Sequence, residues 1–162
     1  RMAVARIRTI KPEFLGIPKV SEIEAAEFRG LFFGEGHLDL IRNSSLQTLY
    51  PRARIAVRDD DAETVLWCKS LFGGNISRRA ATRSTTWQLT GKVRIGHLLD
   101  VLEGGMIPSK KRVEVALMRE AWNLKGPRGV HETPGVRARL YEIRDELKEC
   151  RRFKVGSDNA KD

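Results

Sequence analysis

The sequence predicts an α+β fold, a four-stranded antiparallel sheet with helices packed on one face. Three observations predict it. The hydrophobic period switches from helical to alternating and back again twice between residues 21 and 124. Glycine pairs and single glycines punctuate those switches, at Gly36, Gly73-Gly74, Gly91 and Gly104-Gly105. The resulting order is helix–strand–strand–helix–strand–strand–helix–helix, followed by one more helix after a linker.

Ser21 opens the first helix. Ser21 and Glu24, three residues apart, read as a capping box in which each side chain takes the other's backbone amide. The helix is expected over 22–34, with Gly36 in the left-handed position past its end. Leu38 and Leu40 then alternate with His37, Asp39 and Ile41. A turn with Asn43, Ser44 and Ser45 leads to a second strand, where Ala53, Ile55 and Val57 alternate with Arg52, Arg54 and Ala56. Each strand thus has one apolar face. Asp59-Asp60-Asp61 is expected to cap a helix carrying Val65, Leu66, Leu71 and Phe72, which Gly73-Gly74 stops. Strands are expected at 75–80 and 84–89, the second placing Thr85, Trp87 and Leu89 opposite Ser84, Thr86 and Gln88. A helix with Val93, Leu98, Leu99 and Leu102 follows Gly91, and Ser109 is expected to cap the next, to about Leu124.

The chain divides into four parts. Residues 1–20 read as a basic arm with Arg6, Arg8 and Lys11, either solvated or touching phosphates. Residues 21–125 read as the core domain. Residues 126–152 read as a glycine- and proline-rich linker and a helix, with Val136, Leu140, Ile143 and Leu147 in one stripe. That helix either packs on the domain, leaving Arg137, Arg139, Arg144 and Lys148 as a solvated basic face, or contacts a partner. Residues 153–162 read as a disordered tail.

The 30 Lys and Arg against 21 Asp and Glu give a net charge of +9, which favours a polyanionic partner, nucleic acid before membrane. No uncharged run is long enough to span a bilayer, and no apolar stretch at the N-terminus reads as a secretion signal. Cys68 and Cys150 make no disulfide framework, and no Cys/His spacing suits zinc, so the expected setting is a reducing cytoplasm, in association with the nucleoid.

The first helix has an unusual division of faces. Ala26, Gly30 and Gly34 recur every four residues and form a ridge almost without side chains, with Phe33 on the same side. Phe28, Leu31 and Phe32 point the other way. A glycine inside a helix costs roughly 1 kcal/mol against alanine. Two of them four apart suit the close approach of a second backbone, here a second copy of the same helix. Glu35 follows at the helix C-terminus, where the dipole disfavours an acid and a bound cation would compensate it. Carboxylate and free carbonyl oxygens are hard ligands suited to Mg²⁺.

Residues 28–36, FRGLFFGEG, resemble the signature of the LAGLIDADG homing endonucleases. Both packing glycines, the acid at the eighth position and the final glycine are kept. Arg29 stands where a small residue is usual, and Phe33 stands where the family has an Asp that is not the metal ligand. The resemblance extends over about residues 20–124, through the strand pattern around Phe72–Ile76 and Thr86–Leu89 and the basic pair Lys110-Lys111. The stretch at 5–14, ARIRTIKPEF, resembles the start of some phage replication-initiation proteins, which points to a phage or mobile-element origin.

The resemblance implies a site-specific, metal-dependent homing endonuclease that hydrolyses both strands of a long, near-palindromic double-stranded DNA site. One motif per chain implies a homodimer, with Ala26, Gly30, Phe33 and Gly34 at the interface. It implies Glu35 and the Gly34 carbonyl as ligands of Mg²⁺ or another divalent cation, with no organic cofactor. It places Lys110, with Lys111 as the one-residue alternative, beside the reacting phosphate, and Asp59 where a polar residue organises water. The polar sheet face, with Asp39, Ile41, Asn43, Arg52, Arg54, Ser77, Arg79, Thr86 and Gln88, would face the DNA major groove, and Arg78 and Arg83 the phosphates. A non-cutting binding protein of the same fold, such as an RNA maturase or a DNA-binding regulator, and a nucleoid-type protein using charge alone are the alternatives. A monomer whose C-terminal helix covers the ridge is a further one.

Overall fold

The computed structural model describes residues 16–45, 47–126 and 132–156, with 153–156 as backbone alone. The basic arm up to residue 15, including Arg6, Arg8 and Lys11, lies outside the described residues, as do 127–131 and 157–162.

Helix α1 spans Glu22–Glu35, and its capping box is complete: the Glu24 amide donates to Ser21 Oγ at 3.2 Å and the Ser21 amide to Glu24 Oε2 at 2.9 Å. The strands are β1 (Gly36–Arg42), β2 (Leu49–Arg58), β3 (Asn75–Arg79) and β4 (Ser84–Thr90). Helix α2 (Ala62–Phe72) joins the two strand pairs, and α3 (Lys92–Glu103), α4 (Ser109–Leu124) and α5 (Pro134–Gly156) close the chain. All strand pairings are antiparallel, in the order β1-β2-β4-β3, so both pairs meet in one sheet along β2 and β4.

The register explains the alternation read in the sequence. Ile55 pairs with Trp87 and Trp87 with Ile76; Ala53 pairs with Leu38 and with Leu89. These residues form the inner face, against which the helices pack. Phe28 of α1, Phe72 of α2 and Trp87 of β4 meet at the centre. The Phe28 and Phe72 rings are 4.5 Å apart, and Phe28 stands edge-on to Trp87 at 6.1 Å. All three are fully buried, each contributing about 1.5–3 kcal/mol of apolar burial or more.

Gly73-Gly74 does more than stop α2. Gly74 has φ +93°, and a Cβ there would lie 2.5 Å from the Gln88 carbonyl oxygen. The Gly73 carbonyl accepts the Trp87 indole N–H at 2.8 Å. The turn is therefore pressed against β4 and pins the central tryptophan.

Several local expectations are corrected. Gly36 is extended (φ −80°, ψ 153°), not left-handed, and begins β1 directly. Glycine is needed there for space: a Cβ would lie 2.5 Å from the Phe32 ring. Asp59–Asp61 form a 3₁₀ turn rather than a cap, and no side-chain capping bond is made by Asp61, the residue preceding α2. Pro108, not Ser109, precedes α4, because a proline accepts the end position without an amide to satisfy. The strand expected to reach residue 80 ends at Arg79, where a 3₁₀ turn (Ala80–Thr82) begins.

Helix α5 lies on α4 and along β1. Leu140, Ile143 and Leu147 are buried in the common core. Arg139 forks onto Glu120 of α4, with Nε to Oε1 at 2.7 Å and Nη2 to Oε2 at 2.9 Å, and also bonds Glu146 at 2.8 Å. Arg139 is thus a tether and not part of a free basic face, whereas Arg137 and Lys148 are exposed. The helix continues as backbone through Gly156, four residues into the segment expected to be disordered. No described helix is long and apolar enough to cross a membrane.

Candidate functional site

Helix α1 ends on the acid, and Glu35 is exposed there. It lines an open cleft of about 430 Å³ with Leu31, Ala56, Val57, Arg58, Asp60, Asp61 and Ser84. Gly34 is also exposed. The Gly36 amide closes the helix by donating to the Phe32 carbonyl. Gly34 and Glu35 are the last two residues of α1, at the end where helix carbonyls run out of intrahelical donors. Past the helix, in β1, the Leu38 amide donates to Glu114 Oε1 at 2.8 Å.

That bond belongs to a buried polar cluster. Lys111 and Glu114, on the first turns of α4, are 3% and 5% exposed. Lys111 Nζ donates to Glu114 Oε2 at 2.9 Å and to the Gly36 carbonyl oxygen at 2.8 Å. One carboxylate therefore serves the Leu38 amide with one oxygen and the ammonium with the other. Lys110, one position earlier, is exposed. Of the basic pair it is Lys111 that the fold brings to the residue following Glu35. Sequence reading missed Glu114, although its spacing three after Lys111 and four after Lys110 was visible on one helix face.

The ridge of α1 is bare. Ala26, Gly30 and Gly34 are exposed, Phe33 is half-buried, and nothing lies within 4 Å of a Cβ built on Gly30 or Gly34. Ile23, on the same side, is 74% exposed. Helix α5 packs elsewhere, so the expectation of a self-covered ridge is set aside. Arg29 is engaged within its own chain. Its Nη1 donates to the Val101 carbonyl at 3.0 Å, which places a cation at the C-terminus of α3.

The polar face of the sheet is assembled in rows by the register. Asp39 pairs with Arg52 and Arg52 with Thr90; His37 pairs with Arg54, Arg54 with Gln88 and Gln88 with Asn75. Ala56, Thr86 and Ser77 form the next row, and Arg58, Ser84 and Arg79 the last. Arg54, Ser77, Arg78, Arg79, Thr86 and Gln88 line one open depression of about 420 Å³. Thr90 and Asn75 belong to this face and were not singled out in the sequence; strand pairing alone reveals them. Ile41 is on the same parity, opposite Tyr50. Asn43 is in the turn, where its Oδ1 accepts the Ser45 amide at 3.0 Å and the Ser45 hydroxyl at 2.7 Å.

Asp39 and Arg52, expected on this face, and Arg78, expected at the phosphates, are engaged within the chain. Asp39 is only 5% exposed. Its carboxylate is held by Arg52, with Nε to Oδ1 at 2.9 Å and Nη2 to Oδ2 at 2.7 Å. The hydrogen bond to Asp39 raises the Arg52 pKa against the opposing effect of burial. Arg78 has the inner parity, opposite Thr85, and its Nε donates to Asp59 Oδ2 at 2.8 Å. Asp59 Oδ1 accepts the Thr85 hydroxyl at 2.8 Å. Asp59 thus ties the end of β2 to β3 and β4, and its pKa is lowered, first by the Arg78 bond and then by Thr85. Arg83 is exposed, in a left-handed turn position (φ 46°) before β4.

No protein-family model and no curated protein sequence matches the chain. Solved structures do. The homing endonuclease I-TnaI matches at 18% identity with a TM-score of 0.63, covering 78% of this chain and 94% of its own. The homing endonuclease I-CvuI, in complex with its target in the presence of calcium, matches at 13% identity with a TM-score of 0.67, covering 80% and 82%. The LAGLIDADG meganuclease I-AabMI, bound to uncleaved DNA, matches at 17% identity with a TM-score of 0.62. The chain has the LAGLIDADG homing-endonuclease fold. Within that fold, 72% of this chain spans 42% of I-AabMI but most of I-TnaI and I-CvuI. Relatives in fold therefore occur at about this length and at about twice it.

Proposed function

We propose that the chain is a divalent-metal-dependent, site-specific DNA endonuclease that works as a homodimer on both strands of a long, near-palindromic duplex. The observation that carries the reading is the exposed end of α1, where Gly34 and Glu35 follow each other at the carbonyl end of the helix. Hard oxygen donors of this kind suit Mg²⁺. Among the described residues no group of three or more His, Cys, Asp or Glu side chains could hold a metal. One chain therefore offers a partial donor set, and pairing across the bare ridge would bring a second Glu35 and Gly34 to the same axis. A divalent cation bound there supplies a Lewis acid that lowers the pKa of a water and offsets charge on the phosphodiester.

The chain's own residues supply the rest of the reading. Lys111 is buried against Glu114 and the Gly36 carbonyl and anchors the end of α1, and the exposed Lys110 beside it remains the candidate to meet the reacting phosphate. The polar sheet face, with Arg79, Thr86, Ser77 and Gln88, offers arginine for guanine edges and glutamine for adenine edges. The net charge of +9 supports a polyanionic substrate. I-CvuI, a structural relative, is seen with its DNA target, which favours the same partner here.

The test is Glu35→Gln. A plasmid library of candidate sites is incubated with wild type and variant in Mg²⁺ and in EDTA. Wild type is expected to linearise a subset of plasmids in Mg²⁺ alone, and the variant to bind that subset without cutting it. Cleavage by the variant at the wild-type rate would overturn the site. Binding by wild type with no cleavage in any divalent metal would instead establish a non-cutting DNA-binding protein.

A further inference from the structure

The Asp39 carboxylate is surrounded by three guanidinium groups, two from β2 and one from α5. Arg52 of β2 takes both its oxygens in a bidentate fork at 2.9 and 2.7 Å. Arg54, two residues on along β2, stands with Nε 3.9 Å from Oδ2, and Arg151 of α5 with an Nη 3.7 Å from the same oxygen. Those two distances are ion-pair contacts beyond hydrogen-bond reach. Asp39 can neutralise one guanidinium, and Arg52 already fills that role. Two positive charges remain in excess.

The excess is also poorly solvated. The Nε atoms of Arg54 and Arg151 are both buried and have no hydrogen-bond partner. A buried donor without a partner costs free energy, and a charged one costs more. Burial lowers the Arg54 pKa first, and the neighbouring Arg52 and Arg151 lower it further against the pull of Asp39. Yet the two side chains keep 38% and 30% of their surface exposed. Arg54 borders the open depression on the polar face. Arg151 reaches this face because α5 runs along the edge strand β1: its stripe of Leu140, Ile143 and Leu147 is in the core on the helical side, while its C-terminal turns come to Asp39 on the other.

We infer that Arg54 and Arg151 form a binding site for a backbone phosphate of duplex DNA, built jointly by β2 and the end of α5 and oriented by Asp39. A phosphate oxygen supplies the missing negative charge, and the guanidinium fork matches its geometry. The site gives α5 a function beyond packing and commits Arg54 to the backbone rather than to base edges. It rests on the DNA-binding reading above.

The test uses the full chain and a labelled duplex of arbitrary sequence in EDTA, with anisotropy recorded across a salt series. Wild type is expected to show a steep linear fall of log K with log salt. Arg151→Gln is expected to reduce that slope by about 0.9, one phosphate contact, and Arg151→Lys to restore it. Thermal unfolding of each variant shows whether α5 is still docked. If Arg151→Gln does not fold, Arg54→Gln carries the test with the same expected loss. A wild-type slope in the glutamine variant, or a lysine variant that behaves like glutamine, overturns the inference while leaving DNA binding intact. A wild-type protein that binds with no salt dependence overturns the DNA reading itself.

Discussion

Lys111 Nζ lies 2.8 Å from the carbonyl oxygen of Gly36, the residue immediately after Glu35. The helix that ends on the acid and the helix that carries the lysine are thus joined at one backbone atom. Glu114 completes the joint by holding both the ammonium and the Leu38 amide.

Removing Glu114 should therefore damage stability and the site together. Glu114→Ala leaves a buried ammonium with its carboxylate gone and a buried amide without an acceptor. A loss of about 3–5 kcal/mol is expected for breaking a buried pair, read from the midpoint of urea unfolding. Glu114→Gln keeps an acceptor for the Leu38 amide and should lose less. Equal stability of Glu114→Ala and wild type would mean that the joint contributes nothing to the fold.

Asp59 predicts an acid limb in stability. Its folded pKa is held below the ordinary 3.8 by the Arg78 bond first and the Thr85 bond second. A depressed carboxylate stabilises the fold above the unfolded pKa. That contribution is lost as pH falls from about 3.8 through the lower folded value. Asp59→Asn should lose this part of the pH dependence and destabilise the protein at neutral pH. Melting temperatures of the two proteins should converge below pH 3.8; parallel curves would sink the assignment.

The α1 ridge predicts the oligomeric state. A Cβ on Gly30 meets nothing within 4 Å in one chain, so Gly30→Leu should fold as well as wild type or better, since glycine inside a helix is unfavourable by about 1 kcal/mol. Sedimentation should show a wild-type dimer and a monomeric variant that no longer cuts. A wild-type mass near 18.4 kDa at every concentration and on DNA would defeat the dimer.

The element order was legible because helices and strands are local: Leu38, Ala53, Ile55, Trp87 and Leu89 carry the alternation of a sheet with one buried face. The motif at 28–36 was legible for the same reason, as spacing along one helix. The fine points that failed were those where a neighbour intervenes. Gly36 reads as a turn glycine, but the Phe32 ring is what requires it. Asp39 reads as a groove-facing polar residue, but Arg52 and Arg151 bury it.

Periodicity along the chain thus established α1, the four strands, their buried face and the position of Glu35 at a helix end. It could not bring Lys111 to the Gly36 carbonyl, find Glu114, or bring Arg151 to Asp39. Those outcomes depend on residues 75, 76 and more than 100 positions apart. A repeat of 3.6 or two residues records which side chains share a face. Which faces meet, and which charges are then stripped of water, is set when distant segments close over a common core.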